Sequence, residues 1–98
     1  MHLQIPHKFT QPQAIERVKQ ALEQVKTNPQ VKDQLTIEKE EWEGSKLTFA
    51  FTGQGQHITG TLAVEEKEFI LDAKLPIMLR MFEGRLEKMI GDQVRQML

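Results

Sequence analysis

The stretch from Leu47 to Leu75 constrains the fold most, because three consecutive runs alternate apolar and polar residues and must turn one face inward together. Leu47, Phe49 and Phe51 form the apolar face of the first run. Ile58, Gly60, Leu62 and Val64 form that of the second, and Phe69, Leu71, Ala73 and Leu75 that of the third. A slip of one residue would carry a whole apolar set into water, so the turns set the register. A tight turn at Gly44-Ser45 places Trp42 opposite Leu47 and Glu43 opposite Lys46. The Gly53-Gln54-Gly55-Gln56 loop places Phe51 opposite Ile58, Phe49 opposite Gly60 and Leu47 opposite Leu62. A turn around Glu66-Lys67 places Val64 opposite Phe69, Leu62 opposite Leu71 and Gly60 opposite Ala73. Every apolar face stays aligned, which makes an antiparallel meander. A fourth run starts earlier, at Leu35 and Ile37, but its parity is opposite to that of Trp42. A β-bulge between Lys39 and Glu41 is expected to restore the phase.

Two helices frame the meander. Thr10 is a candidate N-cap, Pro12 fits the first turn, and Gln13 completes a Thr-x-x-Gln capping box. Ala14, Val18, Ala21, Leu22 and Val25 then share one face, and Asn28-Pro29 ends the helix. Residues 27–33 read as a polar connector. After Pro76 one continuous helix of about 20 residues, roughly 30 Å long, is expected, with Leu79, Phe82, Leu86, Met89, Ile90, Gln93 and Met97 as its apolar stripe. It should pack over the row Phe49, Gly60, Ala73, where two small residues leave a trough. Leu3 and Ile5 add a short first strand. The order is β-α-β-β-β-β-α: one α+β domain, residues 1–98, with an antiparallel four- to five-stranded meander, a short N-terminal helix and a long C-terminal helix on one face. It is similar to a helix-grip arrangement in element order alone.

Composition removes several function classes. Thirteen Lys and Arg against fourteen Asp and Glu give a net charge of −1, without the basic excess of a dedicated nucleic-acid binder. Cysteine is absent, which excludes disulfides and thiolate chemistry. The N-terminus has no long apolar stretch of a secretory signal, and no run approaches the ~20 apolar residues of a membrane span. A soluble cytoplasmic protein is the expectation.

Several segments together carry a family resemblance. They are Ile5-Pro6-His7, Trp42-Glu43-Gly44 followed by Leu47 and Phe49, Gly60-Thr61-Leu62-Ala63-Val64, and Leu75-Pro76 before an amphipathic helix. In this order and spacing, over nearly the whole chain, they resemble the polyhydroxyalkanoic acid system protein family. The resemblance implies a small bacterial protein linked to polyhydroxyalkanoate synthesis and granule surfaces. It carries over no catalytic residue, because that family has none established.

Catalytic and metal constellations are sparse. His2, His7 and His57 read as partly exposed, and no pair has the spacing of a helical zinc site. Ser45, the single serine, lacks a nucleophile elbow. Asp72 is expected on the outer face beside Thr59 and Thr61, where a solvated residue is the plainer reading and a general base the sharper one. The acidic run Glu38–Glu43 reads as a solvated edge strand. No catalytic residue, metal or cofactor is assigned.

The last helix carries the odd surface. At 100° per residue Ile77, Met81, Gly84, Lys88, Gly91 and Arg95 share its back. Each interior glycine costs about 1 kcal/mol against alanine; two on one line read either as a tolerated weakness beside scattered exposed apolar side chains or, more sharply, as a docking surface allowing close approach. Arg80, Arg85, Lys88 and Arg95 make the helix locally basic, and Ile77, Met78 and Met81 could adsorb at a coated surface from its first turn.

Three functions follow. The first is a non-enzymatic accessory protein of polyhydroxyalkanoate metabolism, docking on a granule surface or a granule protein. The second is an acyl- or hydroxyacyl-binding protein with a pocket between sheet and last helix, built from Phe49, Gly60, Leu62, Ala73, Phe82 and Leu86. The third is an enzyme with a minimal acid–base site at Asp72 or His57. The first is the reading adopted, with a homodimer as a further partner and no nucleic acid among its partners.

Overall fold

The computed structural model describes residues 1–97. It contains β1 (His2–Pro6), α1 (Gln11–Thr27), β2 (Thr36–Glu43), β3 (Lys46–Gly53), β4 (Gln56–Val64), β5 (Glu68–Lys74), α2 (Ile77–Arg80) and α3 (Glu83–Met97). The strands form one antiparallel sheet in the order β1-β5-β4-β3-β2. The fold is α+β.

The derived registers hold pair by pair. Trp42 faces Leu47, Phe49 faces Gly60, Leu62 faces Leu71, and Val64 faces Phe69. β1 then docks on β5, with Leu3 opposite Leu71 and Ile5 opposite Phe69. A single row, Leu3-Leu71-Leu62-Leu47-Trp42, therefore crosses all five strands on the inner face. The turns are of the kinds hairpins favour. Gly44 has φ +61, and Gln54 and Gly55 have φ 52 and 77, matching the twist of the strands they join.

The bulge lies two residues earlier than the parity argument placed it. Pairing runs unbroken from Lys39 to Glu43, and the register shifts between Ile37 and Lys39, leaving Glu38 unpaired. Either position returns Ile37 to the inner face opposite Phe51. The choice decides whether Lys39 or Glu40 also turns inward. α1 decides it: Lys26 Nζ sits 2.7 Å from Glu40 Oε1, where an inward Lys39 would face a like charge.

α1 forms as its cap residues dictate. Gln13 N donates to Thr10 Oγ1, Thr10 N donates back to Gln13 Oε1, and Asn28 closes the helix by donating to the Gln24 carbonyl. Ala14 and Leu22 are buried.

The C-terminal segment departs from the expected single helix. It is interrupted at Met81–Phe82, where Phe82 N closes a tight turn onto the Leu79 carbonyl before α3 starts. The interruption changes the helical phase. Ile90 and Val94 pack inward and Leu86 is half-buried, whereas Phe82 and Met89, assigned to the core stripe, are 49% and 58% exposed. α3 also does not cover the Phe49-Gly60-Ala73 row. Leu22 of α1 packs there, and α3 lies along the β1 side of the sheet. The reason is the fifth strand: β1 widens the sheet beyond β5, and that added apolar face needs its own cover.

Candidate functional site: an apolar cavity and an exposed apolar segment

The two long helices converge at one end of the sheet and part toward the other. Ala14 of α1 and Ile90 and Val94 of α3 share one cluster with Ile5, Val64 and Phe69. From there α1 passes over Leu47 and Phe49 to the β2 edge, where Lys26 meets Glu40. The start of α3 stays at the opposite edge, with Glu83 3.0 Å from the Met1 amine. Between them lies a cavity of about 400 Å³, partly open to solvent, whose nineteen lining residues are all apolar. That volume falls within the usual range of small-molecule sites.

Of the residues expected to line a pocket, Phe49, Leu62, Ala73 and Leu86 do so. Gly60 does not, because a Cβ there would meet Phe49 Cζ at 2.8 Å, so the ring covers the bare strand position. Phe82 is not in the wall either. The pattern reading missed Val25, Leu35, Phe51 and Ile58, which line the cavity and stay half-buried. Their half-exposure depends on how far α1 swings from α3, which no strand or helix period encodes.

Beside the cavity, sharing Met1, Ala73 and Leu75 with it, runs a shallow groove that includes Gly60, Thr59, Thr61, Asp72, Lys74, Arg80 and Glu83. Asp72 pairs with His2 and Glu83 with the Met1 amine, while Lys74 and Arg80 have no carboxylate partner among the described residues.

The second feature is the segment around α2. Ile77, Met78 and Met81 are 79%, 68% and 83% exposed, and Phe82 half-exposed. Four large apolar side chains on six consecutive residues exceed the scattered exposure normal for a surface. Gly84, Lys88 and Arg95 are exposed and Gly91 half-buried, spaced along one face of α3; a Cβ at either glycine would meet nothing within 4 Å. The interruption at Met81–Phe82 breaks the helical line that would have tied this face to Ile77 and Met81.

The titratable groups are structural or solvated. His7 is buried, contrary to its reading as partly exposed. Its Nδ1 accepts from Phe9 N at 3.2 Å, so Nε2 carries the proton donated to the Glu65 carbonyl at 2.9 Å. Burial follows because this ring packs 4.7 Å from that of Phe69. On the outer face Glu38, the bulged residue, meets Thr52 and His57. Thr52 Oγ1 and Glu38 Oε1 both approach the same nitrogen, His57 Nδ1, at 3.0 and 3.2 Å. A nucleophile relay needs the acid and the hydroxyl on opposite ring nitrogens, so this trio cannot pass a proton in that manner. No group of three or more metal-ligating side chains is present among the described residues. The hydrogen bond to Glu40 raises the pKa of Lys26, against a smaller opposing effect of desolvation.

Comparison with known families places this architecture. A family model described as "Putative polyhydroxyalkanoic acid system protein" matches residues 1–98, the full length of the chain. The chain belongs to this family. No curated protein and no solved structure matches it. Membership is consistent with a role connected to polyhydroxyalkanoate. For this family member the chemistry must be read from the cavity and the α2 segment. No helix among the described residues is long and apolar enough to cross a membrane.

Proposed function

We propose that this protein is a non-enzymatic accessory factor of polyhydroxyalkanoate metabolism that adsorbs in the cytoplasm to the granule surface. The observation that carries the reading is the run of exposed apolar side chains Ile77, Met78, Met81 and Phe82. Burying an aliphatic side chain of this size gains about 1.5–3 kcal/mol, so three or four inserted together gain an amount of the same order as the freedom one small protein loses at a surface. Arg80, Arg85 and Lys88 flank the segment with positive charge, suited to an anionic coat. On α3 the face of Gly84, Lys88, Gly91 and Arg95 extends the docking surface, its glycines letting a neighbouring surface approach the backbone.

Co-sedimentation with isolated granules, beside plain phospholipid vesicles, tests this. The expected result is granule-selective binding that falls at least tenfold in the Ile77→Asn/Met81→Asn variant, with its melting temperature unchanged. Equal sedimentation of both proteins would overturn the assignment to α2. A sedimentation profile showing a dimer dissociated by the same substitutions would instead assign the segment to self-association.

A further inference from the structure

We propose that the cavity enclosed by α1, α3 and the inner sheet face is a binding site for the uncharged hydrocarbon group of a small ligand, held by apolar contact alone. This goes beyond granule adsorption and does not depend on it.

The cavity is built into the fold. Its walls come from three sides: Ala21 and Val25 of α1, Leu47 and Leu62 of the sheet, and Leu86 and Ile90 of α3. Two helices over one apolar sheet gain by closing on each other, because closure buries the faces between them. Here a polar anchor on each side opposes closure. Lys26 Nζ holds the C-terminal end of α1 at Glu40 of β2, 2.7 Å away, and Glu83 holds the start of α3 at the Met1 amine, 3.0 Å away. Drawing the helices together would pull at least one pair apart, and parting Lys26 from Glu40 would leave a half-buried carboxylate without its cation. The open wedge keeps both pairs. Its cost is apolar wall left uncovered: Val25, Leu35, Phe51 and Ile58 remain only half-buried at the end where the helices part.

The lining fixes the chemistry of the occupant. All nineteen wall residues are apolar, so a charged or polar group drawn between them would give up water and gain no partner. Water is no better placed, since these side chains offer it nothing to donate to or accept from. Spaces walled by Leu, Ile and Phe stay dry and take up small hydrocarbons.

The test uses cyclohexane, which has no polar group, with the full-length protein and no granules. It reads methyl resonances and the melting temperature. Saturable shifts should appear at Leu22, Leu62 and Ile90 of the cavity wall and leave Ile70, on the outer sheet face, unmoved. The melting temperature should rise, because the ligand binds the folded state alone. Cyclohexanecarboxylate and cyclohexylammonium, the same ring with a charge of either sign, should bind at least tenfold more weakly. Ala21→Leu and Ala21→Phe add bulk to the wall from α1. Whichever of them keeps the circular dichroism of the unmodified protein should lose at least tenfold in cyclohexane affinity. Unmoved cavity methyls overturn the proposal. So does binding of the charged rings equal to that of cyclohexane, or binding that the Ala21 variants leave intact. Shifts that follow protein concentration and not cyclohexane would overturn it in favour of a second copy seated on the opening. Ile77→Asn/Met81→Asn should bind cyclohexane normally, so the granule reading and this one fail separately.

Discussion

Glu40 turns its carboxylate onto the apolar face of the sheet, and only the ion pair with Lys26 makes that position tolerable. The Lys26 pKa lies above its ordinary 10.5, so the pair contributes stability below that pH, lost as pH rises through the elevated value. Lys26→Met should therefore lower the urea midpoint at about pH 9, and the gap from the unmodified protein should narrow as pH rises above 10.5. A gap independent of pH would mean that Lys26 acts through packing of its alkyl stem. Gly60 is governed by space. An added Cβ would lie 2.2 Å from the Asp72 carbonyl oxygen, which backbone pairing holds in place. Gly60→Ala should cost about 2–3 kcal/mol, read as a drop in melting temperature. His7→Leu keeps the bulk but leaves the Glu65 carbonyl and Phe9 N unsatisfied. A loss of about 2 kcal/mol is expected by denaturant titration. Trp42 presents the opposite case, since its buried Nε1 has no partner. The residue identities announced some of this. A glycine paired with a phenylalanine signalled a covered strand position. The burial of His7 had no local signal, because Glu65 and Phe69, which cover its ring, lie about sixty residues away.

At the scale of elements, α1 and the meander obey local rules. Caps, turn residues and alternation agreed with one another, and such agreement leaves few alternatives. Thr10→Ala should cost about 1 kcal/mol, through loss of the cap to Gln13 N. The C-terminal segment obeyed local rules less well. Its periodicity predicts one helix after Pro76, yet the turn that Phe82 closes onto Leu79 divides it at Met81–Phe82. Val94 faces the core and Met89 does not, the reverse of the expected stripe. Gly84→Ala/Gly91→Ala should raise stability by about 1 kcal/mol, mainly through Gly91, because neither Cβ meets a neighbour and Gly91 lies in the interior of α3 whereas Gly84 is in its first turn. If these glycines admit a docking surface, the same variant should sediment less with granules. A stability gain with unchanged sedimentation would remove them from that surface.

On the scale of the whole molecule, the consequential feature is the angle between α1 and α3. They share a cluster at one end of the sheet and reach opposite edges at the other, which opens the cavity. α3 is held mainly through Ile90 and Val94. Ile90→Ser/Val94→Ser should loosen it and increase binding of a solvatochromic apolar dye while far-ultraviolet dichroism stays largely helical and strand-like. Unchanged dye binding would show that α3 has further anchors.

Sequence by itself determined the pairing of β3 through β5 and of β2 near its turn, the α1 cap and the inward face of those strands. These depend on interactions between residues close in the chain or on an alternation that permits one register. Tertiary structure alone decided three things. β1 docked on β5, because an isolated short strand carries no mark of which edge it will join. The bulge moved to Glu38, because Lys26 on a distant helix selected which charge could turn inward. The cavity took its place between α1 and α3 and not under α3 alone, because α1 packs over Phe49 and Ala73.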